Sequence, residues 1–275
     1  VTLVFIDSTQ GWLVTNSGLQ SEAPTAQYIV ATGGTITTDG NFKVHTFTSP
    51  GTFTVSSAGN AGGSNEISYM VVAGGGGSGG DSGGGGGAGG FREGKTPQCT
   101  YTSSPLACTS GSNNGLPVTA TGYPVTVGAG GTAGTGAPPT GTPAPGGNGS
   151  PSTFAGTTTI TSTGGGGGGD RVQSSNGSPG GSGGGARTIS SSGGTGNTPP
   201  VSPPQGNDGG GASPTPGGNT AGGGGATAVG VYAPSCSAGG PGGNGATTSI
   251  NGTPTAFAGG GGGGGSSGPA NVGGN

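Results

Sequence analysis

Residues 74–90 read GGGGSGGDSGGGGGAGG, and residues 259–265 are an unbroken run of glycine. A residue without Cβ brings no side chain to a core, so tracts of this kind are ordered only if their peptide N–H and C=O groups find partners. The chain has 78 glycines and 22 prolines among 275 residues, against roughly 7% and 5% in an ordinary domain. Apolar residues are too few for a conventional core, which by itself describes a disordered chain. Disordered chains are usually highly charged, whereas only 5% of residues here are charged and the net charge is −3. The balance favours an ordered glycine scaffold. Collagen is excluded because its triple helix needs glycine at every third position without a break, a register these tracts do not keep. Silk-like stacked sheets want Ala, Ser or β-branched alternation, which the near-pure glycine runs lack.

From Gly74 onward, glycine tracts near 74–90, 128–136, 146–149, 164–169, 180–185, 193–196, 206–211, 217–225, 239–245 and 259–268 alternate with segments rich in Thr, Ser and Pro. A weak repeat runs through this part: PGGNGSPSTFAG at 145–156 is echoed by PGGNGATTS and TPTAFAG further on. Glycine readily enters the extended three-per-turn helix of the polyproline II type, which has no internal hydrogen bonds. Packed side by side, such rods can bond their neighbours, and the non-glycine segments become turns at the rod ends. Taken as one rod, 74–90 runs roughly 50 Å at about 3.1 Å per residue.

The first 73 residues are different. Short β-branched or aromatic runs at Thr2–Asp7, Gly11–Thr15, Tyr28–Ala31, Thr35–Thr38, Phe42–Thr48, Thr52–Val55 and Ile67–Ala73 are separated by turn residues. FKVHTFT and TFTV, joined by Ser49-Pro50-Gly51, read as a hairpin. Every helical window is broken by Gly or Pro. The predicted fold is all-β, with essentially no α-helix: terminal strands of a preceding domain or connector at 1–24, a β-sandwich-like module at 25–73, and a bundle of polyglycine II helices with end loops at 74–275.

Several motifs match by glycine content alone. Gly89, Gly94, Lys95 and Thr96 in AGGFREGKT satisfy the P-loop pattern, but a P-loop needs a strand directly before it and a helix starting at the lysine. The PQCTYTSSP that follows is no helix. GGSGG at 76–80 and 180–184 fits a nucleophile elbow, yet the sole histidine, His45, lies in a predicted strand. GGGGGDRVQ at 165–173 matches a calcium nonapeptide, with Asp170 as ligand, in one copy where tandem copies are required. Asn148, Asn176 and Asn251 begin sequons that read better as turns. Asp81, Glu93, Asp170 and Asp208 stand apart, with nothing to gather a catalytic pair. No catalytic residue, metal site or cofactor is expected, so the chain reads as a non-enzyme. Five basic residues leave no nucleic-acid footprint, and no apolar run approaches a membrane span.

Cys99 and Cys108 are close enough in sequence to form a small disulfide loop, while Cys236 is left free or for pairing between chains. Large side chains stranded in glycine are the binding candidates: Phe91, Arg92, Tyr101, Leu106, Leu116, Arg171, Val231 and Tyr232. Aromatic and Arg side chains offer large contact area at low entropic cost. Phe154 and Phe257, at matching places in the repeat, read as caps on the bundle.

FKVHTFTSPGTFTV, then YMVVAGGGG, YPVTVGAGG and repeated GGNG with Ser or Thr and Phe, resembles the glycine-rich distal domains of bacteriophage tail fibres. The glycine-rich part is also similar in style to the adhesin tips of long tail fibres, which are polyglycine II bundles whose end loops bind the host. This resemblance implies an extracellular virion protein that recognises a bacterial surface receptor, protein or glycan, joined to the remainder of a fibre and forming a homotrimer or filament. With 74–90 running outward, the segment 91–122 is expected at the distal tip. The alternative is a structural extracellular filament or matrix protein that polymerises head to tail and recognises no ligand.

Overall fold

The structure, a computed structural model, describes residues 3–7, 11–14, 25–60, 62–107, 114–136, 141–173, 175–188, 190–211, 220–233, 238–265 and 272–275. Among these there is no helix, and every strand pairing is antiparallel. The strands are β1 (Leu3–Asp7), β2 (Gly11–Val14), β3 (Ile29–Thr32), β4 (Thr35–Asp39), β5 (Phe42–Thr46), β6 (Gly51–Ala58), β7 (Glu66–Ile67), β8 (Tyr69–Val72), β9 (Phe91–Gly94), β10 (Leu116–Pro117), β11 (Gly122–Thr126), β12 (Ser152–Ala155), β13 (Thr159–Ser162), β14 (Ala246–Thr248) and β15 (Thr255–Phe257).

The main sheet has the order β13-β12-β11-β6-β3 and takes three of its strands from beyond residue 73. Alternation places Phe53 and Val55 of β6 on its buried face, where they meet Tyr123, Phe154, Ile160, Leu116 and Val118. The rings of Tyr123 and Phe154 stack with centroids 5.6 Å apart, and Phe53 lies 6.2 Å from Phe154. These aromatics supply the apolar burial that the glycine tracts cannot. A second, smaller cluster packs Phe91 on Ala226 and Ala246, with Met70, Val72, Leu106 and Phe257 around it. Phe154 and Phe257 thus both pack where rods meet hairpins. Phe154 sits on the first strand of its hairpin and Phe257 on the second of its own.

The hairpin read across Ser49-Pro50-Gly51 is not formed. β5 pairs with β4 in a separate ribbon, and β6 joins the main sheet. Phe47 accounts for the corner: its ring atoms lie 3.2 Å from where a Cβ on Gly51 would sit, so the chain folds over that glycine and changes sheets.

The glycine tracts form rods hydrogen-bonded on several sides, with the three-residue period of polyglycine II. In the rod 182–187 the amides of Ser182, Gly183, Gly184, Gly185, Ala186 and Arg187 donate in turn to the carbonyls of Ala88, Asn207, Ser178, Gly85, Gly210 and Ser175. Residues three apart address the same neighbour. Its carbonyls accept from three further rods, through Gly166 and Gly169, Gly224 and Ala221, and Gly194. Six neighbours therefore surround one rod, and 220–226 is enclosed in the same way.

That packing explains the glycine. A Cβ on Gly184 would lie 2.0 Å from the Gly167 carbonyl oxygen, and one on Gly183 only 1.8 Å from that of Gly194. At the lattice edge the demand relaxes. In 128–136 only Gly128, Gly131 and Gly134 face a carbonyl at 2.0 to 2.1 Å, while Gly130 meets nothing nearer than 3.7 Å and Ala129, Thr132, Ala133 and Thr135 are accommodated. Which positions of a tract demand glycine thus depends on which sides of its rod face a neighbour's carbonyls.

Residues 74–90 are not one long rod. Ala73, Gly76 and Gly79 donate to Gly90, Gly87 and Gly84, so the tract doubles back at Asp81 and Ser82, with φ of 51° and 56°. Each leg spans about 25 Å at the polyproline II rise. β8 and β9 extend the two legs as a strand pair, with Val72 opposite Phe91.

Candidate functional site

Consecutive rods alternate in direction, so the chain connections fall at two ends. Rods 128–136 and 163–170 run with 73–80, and rods 83–90 and 141–150 run against it. One end carries the main sheet, β8 and β9, and the hairpins β12–β13 and β14–β15. The other carries the Asp81–Ser82 turn, the bend after Asp170, the segment after Arg187, and the rod ends that flank 212–219, 234–237 and 266–271. Because the 74–90 tract reverses, the segment 91–122 returns to the sheet end instead of forming a tip opposite it.

The binding candidates separate between these ends. Phe91 and Leu116, 1% and 7% exposed, are core residues of the sheet end. Arg92 on β9 and Leu106 are partly buried and, with Phe91, Glu93, Tyr69 and Pro203, line a cavity of about 290 Å³. Glu93 is buried and fully engaged: Ser104 N–H donates to one carboxylate oxygen at 2.9 Å and the Thr248 hydroxyl to the other at 2.7 Å. Tyr101 lies under the Lys95 ammonium, 5.0 Å from its ring centre, and Lys95 Nζ also donates to the Tyr101 carbonyl at 2.6 Å. Burial, with the nearby Glu93 carboxylate adding to it, holds the Tyr101 hydroxyl well above the usual tyrosine range.

The P-loop pattern is thereby accounted for. Lys95 holds the 95–101 loop, Thr96 N–H donates to Ser68 Oγ, and Phe91–Gly94 is a strand where the loop would have to be. Cys99 carries a free thiol beside the hydroxyls of Ser68 and Thr96, at 3.1 and 3.3 Å. Cys108 and Cys236 lie outside the described residues. His45 donates from Nδ1 to the Gly33 carbonyl at 2.8 Å and packs edge-on against Phe53, a structural role. Asp170 is buried and closes its own turn, accepting from the amides of Val172 and Gln173. The serines of the two GGSGG segments belong to rods: Ser78 is exposed at the lattice edge and Ser182 is enclosed.

At the far end Arg171, Val172, Val231 and Tyr232 are exposed, while Asp170 and Arg187 are buried. Two arginines converge on the turn at Asp81: Arg171 Nη1 is 3.5 Å from the Asp81 carboxylate, and Arg187 Nε donates to the Asp81 carbonyl at 3.3 Å. Burial lowers the Arg187 pKa, Asp81 opposes that shift, and Arg171 reinforces it. Arg171 is 62% exposed at its side chain, and Val172, Val231 and Tyr232 are exposed as well. Val231 and Tyr232 close the rod 228–233 at this end, since Gly222 donates to the Val231 carbonyl. Val172 was not among the sequence candidates, although its position two residues after a glycine run ends in Asp is a signal for it.

Neither the curated proteins nor the solved structures include a match to this chain. A family model described as a glycine-rich domain matches residues 46–275, which takes in four of the five strands of the main sheet and the rods that follow. By that match, this chain belongs to the glycine-rich domain family.

Proposed function

We propose that the chain is the receptor-recognising tip of a virion tail fibre, in which the rod lattice is a rigid scaffold and the end away from the main sheet makes contact with a bacterial surface. The observation that carries this reading is the segregation of side chains. Of the large side chains stranded among the glycine tracts, Phe91 and Leu116 at the sheet end are buried in two cores, whereas Arg171, Val172, Val231 and Tyr232 are exposed at the opposite end, at a rod end and the bend that follows a rod; the exposed Tyr28, Val30, Ile36 and Phe42 belong to the β module outside the glycine tracts. Exposed aromatic and Arg groups held on a stiff frame lose little entropy on binding. The resemblance to tail-fibre distal domains supports the same reading.

The test is adhesion of the labelled 275-residue chain to a panel of bacterial strains, compared with the double variant Arg171→Ala/Tyr232→Ala. Binding to particular strains that the double variant loses supports the proposal. If no strain is bound, or if binding survives in the double variant, the far end is not a receptor site. A second reading, a filament subunit, is favoured by the exposed Val4 on β1, which with β2 forms a two-stranded sheet among the described residues, the kind of small sheet that another subunit's strand extends. Concentration-dependent fibres without adhesion would select it.

A further inference from the structure

Among the described residues, one side of the otherwise enclosed rod 83–90 is uncovered. The rod 83–90 is bonded to the rods 73–80, 163–170, 182–187, 220–226 and 258–265. Its sixth side opens into a groove of about 390 Å³ bounded by residues 72–78, 86–89 and 258–262. Among the described residues, the amides of Gly86 and Gly89 on the groove floor have no hydrogen-bond acceptor, although both residues are buried. Among the described residues, the carbonyls of Gly76 on one wall and of Gly259 and Gly262 on the other accept no hydrogen bond. Donors three residues apart on the floor and acceptors three residues apart on a wall repeat the period that every occupied rod uses. Buried amides without partners are rare in folded proteins, and a pair in lattice register marks a place for a bonding chain.

We infer that this groove binds an extended glycine-rich segment of a separate polypeptide, added as one more polyglycine II rod. The walls present peptide groups and no charged side chain, so what they recognise is a backbone without Cβ. The occupant would have three neighbours, like the rod 141–150, which bonds 73–80, 128–136 and 163–170. That rod reads Gly146-Gly147-Asn148-Gly149 where it is enclosed, and a Cβ on Gly146 or Gly149 would lie 2.0 Å from a carbonyl oxygen. The positions that admit no side chain recur every three residues, so the segment taken by the groove carries the pattern G-x-x-G. The inference is independent of what the far end binds.

The experiment is amide hydrogen exchange of the full chain with and without a blocked (Gly-Gly-Ser)n peptide, beside the same peptide with alanine in place of glycine. The glycine peptide is expected to slow exchange at Gly86 and Gly89 by about tenfold or more at saturation, and the alanine peptide to leave it unchanged. Gly75→Leu supplies the blocked groove: a Cβ at Gly75 meets only Gly87 O at 3.6 Å and Gly89 N at 4.0 Å, so the side chain enters the groove without a clash. This variant is expected to fold and to lose the peptide effect. The inference is overturned if the peptide leaves Gly86 and Gly89 unprotected, or protects them equally in Gly75→Leu. It is also overturned if the protection arises without peptide as protein concentration rises, which would give the groove to a second copy of this chain.

Discussion

The side-chain amide of Gln205 takes the place of a peptide group in the lattice: its Oε1 accepts the Thr163 amide at 2.8 Å, and its Nε2 donates to the Pro199 carbonyl at 3.1 Å. Gln205 is completely buried, and its own carbonyl accepts the Phe91 amide. It joins the start of β9 to the start of the rod 163–170, where the two-sided bonding of a sheet gives way to the many-sided bonding of the rods. Replacing Gln205 with Leu keeps the volume and leaves the half-buried Thr163 N–H without its acceptor, while the exposed Pro199 carbonyl can turn to water. Urea unfolding of Gln205→Leu is expected to show a loss of roughly 1–3 kcal/mol.

The lattice predicts that the same substitution has opposite consequences at two glycines. Gly184→Ala forces a methyl to within 2.0 Å of a backbone carbonyl in a six-neighbour rod and is expected to cost roughly 3 kcal/mol or more. Gly130→Ala, in an edge rod with ordinary contacts, is expected to be neutral or to stabilise by up to about 1 kcal/mol, because it restricts the unfolded chain. Thermal melts of the two variants side by side check the contrast.

Tyr101 makes stability depend on alkaline pH. Its hydroxyl is buried without a hydrogen-bond partner among the described residues, and its pKa is raised in the folded state. Below about pH 10 the group is protonated in both states and contributes no pH dependence. Above it the unfolded chain releases the proton while the folded chain keeps it, so stability falls as pH rises. Tyr101→Phe is expected to remove this alkaline loss and to be neutral or slightly stabilising at pH 7, measured by denaturant midpoints from pH 7 to 11.

Arg171 and Tyr232 are expected to contribute little to stability. The Arg171–Asp81 pair is exposed and long, so Arg171→Ala is expected to cost under about 1 kcal/mol, and Tyr232→Ala a similar amount. Melting temperatures within a few degrees of the parent chain would confirm that a loss of adhesion in the double variant reports a contact surface and not unfolding.

Much of the lattice was legible in the tracts themselves, because a residue without Cβ has one way to be ordered in bulk. The reversal at Asp81–Ser82 was legible too, and was missed. An enclosed rod has little room for a side chain as large as Asp, so the Asp81-Ser82 pair inside a glycine run marks a turn. Reading that run as continuous placed Phe91 and Leu116 at a tip, whereas both are core residues. The pairing of β6 with β11 was not legible: Thr54 and Gly122 are brought together by rods whose sequence carries no address for their neighbours. Likewise, FKVHT and TFTV suit a hairpin locally, and only the packing of Phe47 over Gly51 sends them to different sheets.

The central claim is that backbone hydrogen bonds, in rods with up to six neighbours, hold the glycine-rich part together. Residue-resolved amide exchange of the intact chain tests it most directly. The account predicts that amides of 183–186 and 221–225 exchange only through global opening, that those of the edge rod 128–136 exchange sooner, and that Gly86 and Gly89 exchange early despite their burial. Uniformly fast exchange across 183–186 and 221–225, at the rate of an unstructured glycine chain, would contradict it.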